Sequence, residues 1–175
     1  MKYQILKYGV IGGLISSALG TLNWILIARP VGVEVSQLIG YIGITASLLC
    51  IPFGINYFKQ RNGSGNVSFK QAYIIGLGIT SYAALVMAIH SVIFFFLQRD
   101  EFIEWQRNDL SGAELAAFEE QLSTMPGVAF NPWFQGAVMF VMVFLIGAIV
   151  NLISSLVLSS KDNGDIVQKP EASTE

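Results

Sequence analysis

The residue best suited to chemistry in this chain is His90, the single histidine among 175 residues. The run from Gln71 to Gln98 holds no Asp, Glu, Lys or Arg, so His90 is its one ionisable group apart from tyrosine. An ionisable side chain in a long apolar run is costly to bury and is therefore a candidate for proton relay or ligand contact. The interpretation that we favour is a structural or interfacial histidine that forms a hydrogen bond.

Several kinds of reactive centre would need partners that the sequence does not place near His90. A single histidine cannot supply two axial haem ligands within one chain, and its run contains no cysteine or carboxylate for a zinc site. A serine hydrolase needs a base beside its nucleophile, but Ser81 lies too far along the helix and Ser91 is merely adjacent. We therefore expect no enzyme activity, no catalytic residue, no metal and no cofactor.

Asn151 and Tyr82 are the other polar side chains that we single out within the apolar runs. Asn151 is expected to form a hydrogen bond across helices. Together with Tyr82 and His90 it would alternatively line a polar cavity near the middle of the membrane, which a small transporter or channel requires. No Asp or Glu lies in any core run, which disfavours a transporter coupled to protons or sodium.

The elements that would carry these residues are four runs without charged side chains. Hydrophobic residues make up 53% of the chain and charged residues only 13%, against about 25% charged in a typical soluble domain. Each run exceeds the ~20 residues that cross about 30 Å of hydrocarbon. We predict an all-α bundle of four transmembrane helices in a single domain over 1–160, followed by a disordered cytoplasmic tail over 161–175. The helices are expected at about 8–28, 35–58, 71–97 and 132–158.

The first run has an alternative interpretation as a cleaved signal peptide. Lys2 and Lys7 precede it, and the segment from Ala18 to Gly20 resembles a cleavage site. The apolar run nevertheless continues to Ala28, which exceeds the apolar region of about 7–15 residues in a signal peptide. We favour a first transmembrane helix.

Lysine and arginine are distributed unequally between the two sides of the predicted bundle. Because cytoplasmic segments carry an excess of these residues, the richer side is predicted to be cytoplasmic and to hold both termini. That side has Lys2, Lys7, Lys59, Arg61, Lys70, Lys161 and Lys169, and the other side has Arg29, Arg99 and Arg107.

Small residues recur at four-residue spacing on the first and third helices. Such stripes allow close backbone approach, which matters because lipid supplies no hydrophobic drive for helix association. We interpret them as packing surfaces within the bundle, with a homodimer through one stripe as the alternative. The residues are Gly9, Gly13 and Ser17 on the first helix and Gly76, Thr80 and Ala84 on the third.

The segment between the third and fourth helices, residues 98–131, is the only sizeable part predicted outside the membrane. It is acidic, and the sequence QRDEFIEWQRNDL from Gln98 indicates an outward extension of the third helix. Ser111 and Glu114 fit a capping box at the start of a further helix. We predict an extracytoplasmic helical hairpin that folds onto the bundle or the bilayer surface, with a protein partner as the alternative occupant of its apolar stripe.

The loop between the second and third runs lies in FGINYFKQRNGSGNVSFKQAYIIGLG, residues 53–78, and is either a phosphate cradle or a tight turn. It lacks the Lys-Ser/Thr ending of a phosphate-binding loop and follows a membrane helix rather than a strand. Ser68 and Gln71 instead fit a capping box. We predict a cytoplasmic turn with basic anchors at the lipid headgroups, made by Lys59, Arg61, Gly63, Gly65 and Ser68.

The same stretch resembles the signature of a family of small, uncharacterised, four-helix bacterial membrane proteins, catalogued as a domain of unknown function. The resemblance implies a location in the bacterial inner membrane and no established activity, so it assigns no catalytic residue. The family's usual acidic residue is absent from this loop. The matching positions are Gly54, Tyr57, Lys59, Gly63, Gly65, Ser68, Phe69, Ala72, Tyr73 and Gly76.

These features together predict an integral inner-membrane protein without enzymatic activity, most simply an accessory or interaction protein. A small transporter or channel is the alternative. The expected partners are the lipid bilayer and a membrane or periplasmic protein that contacts residues 98–131, and no nucleic acid is expected.

Overall fold

The computed structural model describes residues 2–61, 65–125, 127–128 and 130–159, except the side chain of Arg29. Its regular elements are helices, as the composition of the runs predicts. Four helical stretches are long and apolar enough to cross a membrane, namely Lys2–Ala28, Pro30–Arg61, Phe69–Asp109 and Pro132–Leu158. The elements are α1 (Lys2–Leu22), a π-helical segment (Asn23–Ala28), α2 (Arg29–Ser47), α3 (Cys50–Arg61), α4 (Phe69–Asp109), α5 (Gly112–Thr124) and α6 (Pro132–Leu158).

The second apolar run, expected as one helix over 35–58, is divided at Leu48 and Leu49. Pro52 is the physical reason, because it has no N–H to donate to the carbonyl of Leu48. That carbonyl accepts instead from the N–H of Ile51, at 2.9 Å. The chain therefore tightens for one turn before it continues as α3.

The connection between α1 and α2 is very short. The π segment leads directly into α2, where Gly32 leaves the helical conformation with φ of 80°. The N–H of Val33 donates to a carboxylate oxygen of Asp109, at 2.6 Å. The last residue of α4 thus supplies a hydrogen-bond acceptor to a backbone N–H where the regular part of α2 begins. A Cβ on Gly32 would lie 2.8 Å from the same carboxylate. This corner is thus fixed to the far end of α4.

α4 has 41 residues and is therefore about 60 Å long, twice the hydrocarbon thickness of about 30 Å. Its start is the predicted capping box: Ser68 accepts from the N–H of Gln71, and the Gln71 side chain accepts from the N–H of Ser68. The expected extension beyond Leu97 is confirmed, since the helix continues to Asp109. We call the extension Gln98–Asp109 together with α5 the α5 layer.

The second capping box, at Ser111, is not formed. Ser111 does precede α5, but its hydroxyl accepts no hydrogen bond from the first turn. The next residue, Gly112, has φ of +57°, so the chain bends immediately after Ser111 and carries the hydroxyl away from the Glu114 N–H. By contrast, Asn131 caps α6 through two backbone N–H groups, at 2.9 and 3.3 Å.

α4 is the central helix, with α1 against one face and α6 against another. The predicted small residues lie at these contacts: a Cβ on Gly9 would lie 2.5 Å from Cβ of Tyr82, and one on Gly13 would lie 2.6 Å from Cβ of Val86. Ser17 contacts the sulfur of Met87, at 3.4 Å. On the α6 side, Gly76, Thr80 and Ala84 are buried. The main apolar core lies between α3, α4 and α6 and includes the fully buried Ile51, Ile55, Ile79 and Val143.

Candidate functional site

His90 lies on the face of α4 that meets α1 and is half-buried. Its Nε2 is 2.9 Å from the hydroxyl of Thr21 on α1. That hydroxyl has one hydrogen, which it donates to the carbonyl of Ser17, also at 2.9 Å. With the Thr21 hydrogen assigned to Ser17, the matching imidazole tautomer donates through Nε2–H to Thr21 and has Nδ1 as an acceptor.

A groove of about 490 Å³, which we call the His90 groove, runs between α1 and α4 beside this hydrogen bond. Its walls are mostly apolar, and its polar atoms come from few side chains. The lining residues are Thr21, Trp24, Ile25, His90, Ile93, Phe94, Leu97, Gln98 and Glu101.

The depth of the groove follows from the helix ends. α6 is about 40 Å long, so it exceeds the hydrocarbon core by about 10 Å in total. The ring of Trp133, at the start of α6, lies 6.1 Å from the ring of Phe96 on α4. His90 precedes Phe96 by six residues, or about 9 Å along the helix. In a bilayer centred on α6, the groove would therefore extend from the edge of the hydrocarbon toward the interface on the α5 side.

One wall of the groove is held by an aromatic cluster. Trp24 lies on the π segment, and its ring centroid is 5.4 Å from that of Phe94, 5.7 Å from Phe102 and 5.3 Å from Trp105. Edge-to-face contacts of this kind add about 0.5–1.5 kcal/mol each beyond the burial of area. The extension of α4 thus positions Trp24 of the π segment, which lines the groove.

The α5 layer is attached to the same cluster. Phe118 of α5 and Phe130 are both buried, with ring centroids 5.9 Å apart, and Phe130 also contacts Phe102, at 6.2 Å. Arg107 donates to Glu119 at 2.6 Å, although both side chains are about half exposed. This hydrogen bond holds the pKa of the Glu119 carboxyl below its ordinary value.

Asn151 lies in a different environment, fully buried between α4 and α6. Its amide nitrogen donates to the carbonyl of Tyr73, at 3.0 Å, and its oxygen accepts from Ser155, at 3.2 Å. A Cβ on Gly76 would overlap the Asn151 oxygen, so the side chain fills the space that this glycine leaves. The cross-helix hydrogen bond expected of Asn151 is present.

The three polar residues singled out from the sequence do not meet in one cavity. Asn151 contacts α4 at Gly76, which is fourteen residues, or about 21 Å, from His90. Tyr82 lies beside Gly9 and is 40% exposed. Only His90 of the three lines the groove. Within the described residues, no three His, Cys, Asp or Glu side chains are grouped so that they could hold a metal ion.

The loop residues at the opposite end have partners within the chain. Lys59 donates to the carbonyl of Leu158 at the end of α6, at 3.0 Å, where a cation is favourable. The guanidinium of Arg61 lies 5.3 Å from the ring centroid of Tyr57. Gly65 has φ of 65°, as a turn requires. Gly63 lies outside the described residues.

The sequence interpretation missed the roles of Thr21 and Trp24 at the groove and of Asp109 at the start of α2. Thr21 continues the four-residue spacing of Gly9, Gly13 and Ser17, so the signal for it was present in the sequence. The π segment that carries Trp24 has no comparable pattern. Asp109 could be identified only once the length of α4 placed its end beside Gly32.

Comparison with known proteins identifies the family of the chain. Neither the curated proteins nor the solved structures contain a match to it. A protein-family model, described as a protein of unknown function (DUF4199), matches residues 7–160. The matched range includes most of the first candidate span and the whole of the other three. The resemblance found in residues 53–78 is thereby confirmed, and the chain belongs to the DUF4199 family.

Proposed function

We propose that this protein is a multi-pass protein of the bacterial inner membrane with both termini in the cytoplasm and the α5 layer outside. The proposal is supported by the excess of Lys and Arg on the side of the termini. Lys59, near the end of α3, donates to the carbonyl of Leu158 at the end of α6. The ends of these two helices therefore lie at the same level, on the side that is rich in Lys and Arg.

Within the membrane, the protein acts as a non-enzymatic accessory subunit that presents the α5 layer to a protein partner. The observation that carries this proposal is that α4 continues well beyond bilayer length and holds α5 by the buried Phe118 and Phe130. A surface that is already ordered loses less conformational entropy when it binds. Its outward side chains are acidic, which suits a partner with a basic surface. The exposed acids are Asp100, Glu101, Glu104, Asp109, Glu114, Glu119 and Glu120.

Affinity purification from native membranes with quantitative mass spectrometry tests this proposal. We expect one partner in stoichiometric amount, and we expect it to be lost when Glu104, Glu114 and Glu120 are replaced together by Gln. Glu34→Gln is the matched control, because Glu34 is also exposed but lies on α2. Retention of the partner by the triple variant, or loss in the control, contradicts the proposed surface.

The alternative, a small transporter or channel, is not favoured by the positions of the polar residues. Asn151 is sealed between α4 and α6, far from His90, so the two do not form a continuous polar path. Flux assays in liposomes test this alternative directly. Solute conduction by the purified protein alone, abolished by a buried substitution such as Asn151→Leu that leaves folding intact, would contradict the accessory role.

A further inference from the structure

The His90 groove has features that the proposed interaction surface does not use. It lies between α1 and α4 below the α5 layer, and several of its wall residues face the bilayer. Ile25 is 62% exposed, Ile93 is 53% exposed and Leu97 is 73% exposed. In a spanning protein such surfaces contact lipid tails, so the groove is open to molecules dissolved in the bilayer.

The groove also holds an unused hydrogen-bond acceptor. Nε2 of His90 donates to Thr21, and Nδ1 has no hydrogen-bond partner among the described residues. The buried side-chain atoms without partners are Asn23 Oδ1 and Gln106 Oε1, so Nδ1 is not sealed inside the protein. An acceptor in an apolar setting is satisfied by a ligand hydroxyl.

The walls indicate which hydroxyl-bearing molecule fits. Phe94, which is half-buried, and the edge of Trp24, which is 9% exposed, form the aromatic part of the wall, where a flat ring packs in offset or edge-to-face geometry. Trp24 is fixed by ring contacts with Phe94, Phe102 and Trp105 and lies on a π-helical segment, a distortion that is frequent at functional sites. The volume of about 490 Å³ falls in the range of pockets that take a small organic molecule.

We propose that the His90 groove binds a membrane-dissolved hydroquinone or similar phenol with an apolar tail. The ring packs against Trp24 and Phe94, a ring hydroxyl donates to Nδ1 of His90, and the tail leaves the groove sideways between Ile25 and Ile93 into the bilayer. The ligand is bound and released unchanged, with no electron transfer. This inference does not depend on the partner of the α5 layer, so either proposal can fail alone.

The test uses the full-length protein in nanodiscs and two matched ligands. The first is a hydroquinone that carries one isoprenoid unit, and the second is its dimethyl ether, which keeps the ring and the tail but has no hydroxyl to donate. Affinities are measured by isothermal titration calorimetry. We expect the hydroquinone to bind about tenfold more tightly than the ether, the difference that one hydrogen bond makes.

Two variants assign that difference to His90. In His90→Leu the hydroquinone and the ether should bind equally, while in Tyr82→Phe the tenfold preference should remain. Tyr82 is the matched control because it is polar, 40% exposed and on the same helix, but does not line the groove. The comparison of the two ligands on the unmodified protein stands even where a variant fails to fold.

Several results overturn the proposal. Equal affinities for the two ligands on the unmodified protein show that no hydroxyl is recognised. A tenfold preference that persists in His90→Leu shows that another group recognises it. Absence of saturable binding of either ligand, or displacement of the hydroquinone by phosphatidylglycerol at equal concentration, shows that the groove is a lipid contact only.

Discussion

The polar side chains on the two sides of α4 differ in burial and in hydrogen bonding. On the face toward α6, Asn151 and Ser155 expose no surface, and both ends of the Asn151 amide are hydrogen-bonded. On the face toward α1, the imidazole of His90 is half-buried and uses only one nitrogen. A sealed and fully bonded polar group stabilises helix packing, whereas an accessible group with unused bonding capacity can meet a ligand. The same apolar run thus carries a structural face and a face suited to binding.

The largest effect should follow from disturbing the sealed face with Gly76→Val. A Cβ at this position overlaps the oxygen of Asn151, so α4 and α6 must separate. Overpacking of this kind costs about 1–3 kcal/mol, and we expect the upper end because the neighbour is itself hydrogen-bonded. The melting temperature in detergent should fall clearly. Gly127→Ala is the control, since a Cβ there meets nothing within 4 Å; an unchanged melting temperature for Gly76→Val would show that the face is not sealed.

A smaller effect is expected at the corner where Asp109 contacts the start of α2. Asp109→Ala removes the acceptor of the Val33 N–H, and loss of such a helix cap costs about 1 kcal/mol. Hydrogen exchange measured by mass spectrometry should become faster in the peptide that covers the start of α2. Asp100→Ala, which removes an exposed acid from the same extension, should leave that exchange unchanged. Equal exchange rates in the two variants would show that Asp109 does not stabilise the start of α2.

His90 substitutions compare the open face with the sealed one. His90→Leu removes the donor to Thr21, and a hydrogen bond between membrane helices contributes about 0.6 kcal/mol on average. His90→Gln retains a donor and an acceptor and should melt close to the unmodified protein. The expected order of melting temperatures therefore places Leu below Gln by a small margin. Three equal values would indicate that the contact with Thr21 does not hold α1 against α4.

The smallest effect concerns the ion pair that joins α5 to the extension of α4. Because Arg107 lowers the pKa of Glu119 in the folded protein, its contribution is present above the ordinary glutamate pKa of about 4.3 and is lost as the pH falls through the lowered value. Hydrogen exchange of α5 should therefore accelerate in wild type on going from pH 5 to pH 3, after correction for intrinsic rates. Glu119→Gln should lack that step, and an identical step in both proteins would assign it to other carboxyls.

The parts of the fold that depend on local sequence were predictable. Charge-free runs marked the four spans, and the short polar signal at Ser68 marked the start of α4. Two local details were not recognised. Pro52 predicts the break at Leu48, and Gly112 indicates that Ser111 does not cap α5. Both residues act through their own backbone geometry, so both signals were present in the sequence.

The groove was harder to predict from the sequence, because it depends on how α1 is aligned along α4. His90 was identified by its rarity, but its partner Thr21 is set by how far α1 slides along α4. Contacts of Gly9 and Gly13 with α4 fix that register, and no local pattern states it. The π segment likewise reflects the tertiary position of Trp24 rather than a recognisable motif.

The most direct test of the account is the side of the membrane on which the α5 layer lies. In a Cys50→Ala background, spheroplasts that carry Ser111→Cys or Ser64→Cys are treated with a membrane-impermeant maleimide, before and after permeabilisation. The account predicts that Cys at position 111 reacts in intact spheroplasts and that Cys at position 64 reacts only once the membrane is opened. The reverse pattern would place the α5 layer in the cytoplasm and contradict an outward-facing interaction surface.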